Sequence, residues 1–190
     1  MNKKSLSKKH IVKVSAGLFR TKSFTDVSMR DIAKALDVKA SSLYNHIKSK
    51  QQILELIIFE LVDKFMCEIQ DTNERNTDIR SKLVEIIQCH IKIAIYQPNA
   101  FATLNNDWKY LNAKKKSEFL KKRRDYETIL YKVIKEGQSQ GVISKKNPDI
   151  IIYMMLSSLR TLHLWYEKKD QNENILMKEI PSLILGGVLD

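Results

Sequence analysis

Apolar residues recur along this chain at three- and four-residue steps almost from end to end, the spacing of helices that bury one face. Ile11, Val14 and Leu18 share such a face and predict a first helix over about Ser5 to Lys22. Phe24 and Val27 then cross a short loop. Met29, Ile32, Ala33 and Leu36 predict a second helix, opened by Ser28 as N-cap with Asp31 placed to answer it. Asp37-Val38 makes a turn, and Ala40, Leu43 and Ile47 direct a third helix, about Ala40 to His46, toward the same small core. Ser49 and Gln52 head a long helix to about Asp71, with Ile53, Ile57, Leu61 and Phe65 at i+4 steps.

The polar run Thr72 to Thr77 should end that helix. Further helices are expected over Asp78 to Tyr96, stopped before Pro98, and from Pro98 to about Trp108. A long one should cover Ala113 to Gln140 and end at Gly141. Asn147-Pro148 starts another to about Lys168, and a last one covers Glu173 to Val188, where Pro181 should kink or divide it. Strand signals are nearly absent outside the Gly141 to Ser144 connection. The expected fold class is all-α, with about nine helices: an N-terminal three-helix domain, residues 1–50, and a C-terminal helical domain, residues 51–190.

Charge changes the picture. The 190 residues carry a net charge of +11, which attracts polyanions without specifying a fold. Residues 1–50 hold twelve Lys and Arg against Asp26, Asp31 and Asp37, a net of +9, so nearly all of the imbalance sits in the first domain. Cys67 and Cys89 make neither a disulfide framework nor a CxxC pair, and read as buried thiols. The basic N-terminus lacks the apolar run of a signal peptide, and the most apolar later stretch, Ile150 to Leu159, is too short to span a bilayer. A cytoplasmic protein, not attached to a membrane, is expected.

Residues 28–50 form two short helices around a tight turn, with polar and basic side chains on the second. A helix narrow enough for the major groove, carrying groups that bond to base edges, is the means of direct sequence readout. Ala40, Ser41 and Ser42 let a backbone approach closely, and Lys39 reaches guanine acceptors or phosphates. Tyr44, Asn45 and His46 lie where phosphate contact is expected, Lys50 is placed for a phosphate, and Arg30 suits either task. Ser28 and its neighbouring amides are candidates for another phosphate. A solvated helical hairpin would show the same spacing; the charge asymmetry favours DNA.

The segment Gly17 to Leu54 resembles the N-terminal domain of the TetR (tetracycline-repressor) family of transcriptional regulators. The resemblance rests on Leu18-Phe19, Phe24, Ser28, Asp31-Ile32-Ala33, Ser41-Ser42, Leu43-Tyr44, His46 and Lys50. The chain departs from the pattern at Ser23 and Asp37, where glycine is usual, and at Ile47, where Phe is usual. Lys39 sits where a small hydroxyl residue is common. The resemblance implies that Ser28, Tyr44, His46 and Lys50 hold phosphates and that Arg30, Lys39, Ser41 and Ser42 face bases. It implies a ligand-binding and dimerisation domain behind them, hence a regulator, usually a repressor, that binds a near-palindromic double-stranded operator as a homodimer.

In the C-terminal part, Ile150 to Trp165 is apolar on more than one face, as expected of a helix set between its own core and a partner. The homodimer contact is therefore expected through about 148–168 and 173–189. Lys122 to Glu127, a later Gly-Val-Ile, Asn147-Pro148 and Trp165-Tyr166 resemble a subgroup answering to acyl-CoA or lipid-derived thioesters. Phe101, Trp108, Phe119, Tyr126, Met155 and Trp165 are candidates to line a pocket for such a small apolar effector, and equally to be plain core. The basic run Lys121 to Arg124 meets either ligand phosphates or solvent. His10, His46, His90 and His163 are far apart, and no HExxH, GxSxG or Gly-rich phosphate loop is present. No enzyme, cofactor or metal is expected. The alternatives are a helical interaction module that has lost DNA binding and an acyl-CoA-acting enzyme.

Overall fold

The computed structural model describes residues 6–169 and 172–188. Its helices are α1 (Lys8–Asp26), α2 (Met29–Ala35), α3 (Ala40–Tyr44), α4 (Lys50–Glu74), α5 (Ile79–Tyr96), α6 (Pro98–Asp107), α7 (Ala113–Ser139), α8 (Pro148–Arg160), α9 (Leu162–Lys169) and α10 (Glu173–Leu185), with a 3-10 turn at Trp108–Tyr110. No strand occurs among the described residues, so the fold is all-α. Two compact units divide the chain: Met1–Val62 with Asn99–Leu120, and Asp63–Pro98 with Lys121–Asp190.

Most elements begin and end for local reasons visible in the hydrogen bonds. Ser7 caps α1 by accepting from the His10 amide, Asp78 caps α5 by accepting from Ser81, and Asn147 caps α8 ahead of Pro148. Each cap answers one of the amides that a helix start leaves unpaired. Gly141, with φ of 72°, closes the end of α7. The helix expected over about 148–168 is interrupted at Thr161, whose φ of −102° and ψ of 4° separate α8 from α9. α4 runs to Glu74, past the expected stop near Asp71, because Thr72 is fully buried and bonds to Glu85. At its start, the Gln52 side chain reaches the Lys48 amide while Ser49 caps Gln52.

In the first unit, Ile11 and Phe19 of α1, Ile32 of α2, Leu43 of α3, and Ile53, Leu54 and Ile57 of α4 are withdrawn from water. Each such side chain contributes about 1.5–3 kcal/mol of transfer free energy. The second unit centres on α5, which packs against α8, α9 and α10. Its core includes Leu83, Ile86, Ile87 and Ile91, with Leu130, Val133 and Ile134 of α7. Gly137 is required there: a Cβ would lie 2.6 Å from the Ile143 Cδ1 and 2.8 Å from the Ile79 Cγ2.

Of the two outcomes expected of Pro181, a kink or a division, division does not occur: α10 continues through it. Proline has no amide hydrogen, so the carbonyl four residues earlier, at Met177, loses its helical partner. The Gln88 side chain of α5 supplies one, Nε2 donating to the Met177 carbonyl at 3.0 Å. A tertiary hydrogen bond thus closes the gap that the proline opens.

The second unit also holds a polar pair. His90 of α5 and Tyr126 of α7 are hydrogen bonded, Nε2 to Oη, at 2.9 Å, and the imidazole lies 4.4 Å from the Phe65 ring. Burial pushes the His90 pKa down to about 4, raises that of Tyr126, and lifts the neighbouring Cys89 thiol to about 12. His90 is therefore neutral at pH 7. An unfolded histidine binds its proton near pH 6.5 and the folded one near 4, so stability present above pH 6.5 is lost as the pH falls through that window. The loss should reach at most about 3 kcal/mol. Urea unfolding between pH 7 and 4.5 checks this: the midpoint should fall for the wild type and flatten in His90→Gln. An equal fall in both would assign the effect to other groups.

Candidate nucleic-acid interface

The interface is framed by a capping box at Ser28 and a left-handed turn at Asp37. Ser28 opens α2 with a full capping box: its Oγ accepts from the Asp31 amide at 3.2 Å, and its own amide donates to the Asp31 carboxylate at 2.7 Å. Donation from the Ser28 hydroxyl, and then from the Ser28 amide, holds the Asp31 carboxyl below the usual carboxylate range. α2 ends in a two-bond lock. The Val38 amide donates to the Ala33 carbonyl at 3.0 Å and the Asp37 amide to the Lys34 carbonyl at 3.2 Å. This arrangement needs a left-handed residue at its corner, and Asp37 takes that role at φ 53°. The chain then re-enters helix at Ala40, at an angle set by the turn.

α3 buries Leu43, and Ile47 follows it into the core. The opposite side is open: Ser41, Asn45 and His46 are exposed, Ala40 and Ser42 half-buried, and Tyr44 is 55% exposed. Lys39 precedes the helix and Arg30 sits on α2, both exposed. Hydroxyl donors, an amide, a phenol, an imidazole and two cations are thus grouped on a rim one short helix wide. That chemistry suits phosphates and base edges. α3 is shorter than expected, so Asn45 and His46 lie in the turn that follows it.

Two of the expected contact residues have other partners. Ser28 is committed to its capping box, with its hydroxyl also donating to Asp31. Lys50 is half-buried and turned inward. Its Nζ donates to the carbonyls of Val27 at 2.6 Å, Phe24 at 2.7 Å and Thr25 at 3.4 Å, and stands 4.4 Å from the centre of the Phe24 ring. The carbonyls are there because α1 ends at Asp26, after Ser23 leaves helical geometry at φ 71° and ψ 151°. Phe24 was expected in a loop; it lies on the short helical stretch beyond that break.

Residues far away in sequence support the same corner. Tyr110 stacks on Phe24 with ring centres 5.8 Å apart, and its carbonyl accepts from Gln51 at 3.2 Å. Arg20 donates to Asn99 at 3.2 Å, and Asn112 to Glu55 at 2.6 Å. Asp107 is only 4% exposed; burial raises its pKa, partly offset by a hydrogen bond from the Phe24 amide. Nothing in the periodicity marks Asp107 or Tyr110, since a tertiary partner more than 80 residues from Phe24 leaves no local signal.

The six candidate effector residues fall three to each compact unit. Phe101, Trp108 and Phe119 belong to the first compact unit, where Trp108 stacks on Phe119 at 5.4 Å; Tyr126, Met155 and Trp165 belong to the second. Phe101, Phe119 and Met155 are buried core, and Trp165 is 44% exposed. In the second unit a groove of about 420 Å³ runs between α5 and α10 over Val84, Gln88, Met177 and Pro181. None of the six lines it. In the basic run, Lys122 pairs with Asp63 at 2.9 Å and Arg123 with Glu127 at 3.0 Å, while Lys121 and Arg124 are exposed.

Two family models match the chain. One, described as "Bacterial regulatory proteins, tetR family", covers residues 11–57; the other, "Tetracyclin repressor-like, C-terminal domain", covers residues 76–187. The chain is 21% identical over 192 residues to the HTH-type transcriptional repressor KstR2 of Mycolicibacterium smegmatis, covering 94% of this chain and 88% of that protein. It superposes on the ketosteroid transcriptional regulator KstR2 of Mycobacterium tuberculosis with a TM-score of 0.90 at 14% identity, covering 96% and 95% of the two chains. AibR, solved with isovaleryl coenzyme A and operator DNA, matches with a TM-score of 0.80 at 17% identity, over 95% and 96%.

The two left-handed residues generate a stability test. Ser23 lies in a region open chiefly to glycine, at a cost of order 1–3 kcal/mol, and Asp37 in a milder one. Ser23→Gly should raise the unfolding free energy by about 1 kcal/mol and Asp37→Gly by about 0.5 kcal/mol, as read in urea titrations. Destabilisation by both replacements would refute the backbone assignment.

Proposed function

The chain belongs to the TetR family of bacterial regulatory proteins and is a ligand-responsive DNA-binding transcriptional regulator; within that frame we propose that it represses as a homodimer by inserting α3 into the major groove of a near-palindromic operator. The observation that carries this reading is the open rim of α3: Ser41, Ser42 and Tyr44 on a helix whose Leu43 faces the core, with Asn45 and His46 exposed in the turn that follows. Lys39, Ser41 and Ser42 read bases, with Ala40 allowing close approach. Arg30, Tyr44, Asn45 and His46 hold the backbone. Lys50 is not among the contacts, because its ammonium is occupied elsewhere.

A second copy of the chain is the dimer partner. Ile150, Tyr153 and Met154 of α8, Leu164 and Trp165 of α9, and Leu183 of α10 are between 44% and 77% exposed. Exposed apolar side chains in that number on α8, α9 and α10, which all pack on α5, support a self-complementary two-fold contact. Two reading helices about 34 Å apart would then meet successive turns of the duplex.

The effector is a small apolar molecule, with an acyl-CoA as the class to try first. The likeness to a ketosteroid regulator and to a protein solved with isovaleryl coenzyme A supports it. Effector binding must favour the DNA-free state; about 1.4 kcal/mol of difference gives a tenfold loss of operator affinity. No helix among the described residues is long and apolar enough to cross a membrane.

Selection of genomic fragments with purified protein tests the reading. Enrichment of one or a few near-palindromic sites is expected, with affinity falling steeply as salt rises. Ser42→Ala should change preference at one position in each half-site, by about 1–3 kcal/mol. A monomer in solution, or no fragment retained at low salt, would overturn it.

A further inference from the structure

The geometry points to Lys50 as the residue that closes the helix-turn-helix and aims it: a positioning residue for DNA readout. Three features of the fold carry this, and the inference rests on the DNA-binding reading above for its consequence.

The first is where its partners lie. Val27 immediately precedes the N-cap of α2, and Lys50 opens α4 just after α3. The bond from Lys50 Nζ to the Val27 carbonyl at 2.6 Å therefore ties the entry of the helix-turn-helix to its exit. α2, the left-handed corner at Asp37 and α3 all hang between these two points. Fixing both ends fixes the direction in which Ser41, Ser42 and Tyr44 face.

The second is stoichiometry. An ammonium has three hydrogens, and Lys50 meets three carbonyls, those of Phe24, Thr25 and Val27. The Phe24 and Thr25 carbonyls belong to the last turn of α1, which has no following turn to bond to and where a cation is favoured. A phosphate oxygen could be reached only by surrendering a carbonyl. Charge on Lys50 is thus spent inside the domain rather than offered to DNA.

The third is the support beneath it. The Phe24 ring under the ammonium stacks on Tyr110, and the Tyr110 carbonyl is held by Gln51, the residue next to Lys50. The first turn of α4 so grips the same corner twice.

Two substitutions in the full chain separate positioning from phosphate contact. Lys50→Met keeps the stem and removes the charge; Lys50→Arg keeps the charge but replaces three radiating hydrogens with a planar fork, which suits phosphate better than three clustered carbonyls. Binding to an operator fragment and to an unrelated duplex is measured at a temperature where circular dichroism shows each variant folded. A residue that merely stabilised the fold would leave operator affinity unchanged there.

Positioning predicts at least a tenfold loss of operator affinity in both variants. It also predicts affinity for the unrelated duplex within about twofold, and an unchanged slope of log affinity against log salt. Wild-type affinity in Lys50→Arg, with the slope in Lys50→Met reduced by about 0.9, would overturn it in favour of one direct phosphate contact. Unchanged operator affinity in both variants would also overturn it. Amide exchange in the DNA-free protein gives a readout independent of any operator: Lys50→Met should speed exchange at residues 24–33, and unchanged exchange would refute the clamp. Failure of the wild type to bind any duplex, with exchange still accelerated, would remove the DNA-binding reading and leave the clamp standing.

Discussion

A helix that stops must place its last carbonyls somewhere, and in this protein the cation that answers the end of α1 comes from the residue that begins α4. The constraint is strict because Ser23 breaks α1 in a conformation costly for any residue but glycine. Phe24, Thr25 and Val27 then present carbonyls toward one point. A single ammonium satisfies them, covers an aromatic face, and closes a loop that contains the whole reading element. The orientation of α3 follows from this closure together with the left-handed corner at Asp37.

The second compact unit solves a parallel problem by different means. Pro181 opens a gap in α10, and Gln88 of α5 fills it from outside. His90 and Tyr126 satisfy each other within an otherwise apolar setting, and burial keeps the imidazole uncharged. Each case replaces a missing local partner by a tertiary one. The cost is sensitivity: losing Gln88 would leave a part-buried carbonyl unpaired, a penalty of about 1–3 kcal/mol.

Much of the fold was legible in the sequence because helices announce themselves locally. The apolar spacing of Ile32, Ala33 and Leu43, the Ser28–Asp31 box and the Asn147-Pro148 start all occur where expected. Ser23 and Asp37 were marked as departures from a glycine pattern, and both have positive φ. What was not legible depends on distance in sequence. A lysine at the head of a long helix in a basic domain looks like a phosphate contact, and only the position of the Val27 carbonyl shows its ammonium to be occupied. Periodicity could not say that Thr161 would separate α8 from α9 or that Gln88 would reach the Met177 carbonyl and α10 run on through Pro181. Those outcomes are set by packing partners rather than by neighbours in the chain.

Chemical reactivity of the lysine amines reads the central claim directly. Brief amine modification of the native protein, with and without bound operator, can be quantified site by site by mass spectrometry. The account predicts that Lys39 reacts readily in the free protein and is protected by DNA. Lys50 should be nearly unreactive in both states, its ammonium already held by the three carbonyls. A Lys50 amine as reactive as that of Lys39 in the free protein, and shielded only when the duplex is bound, would contradict it.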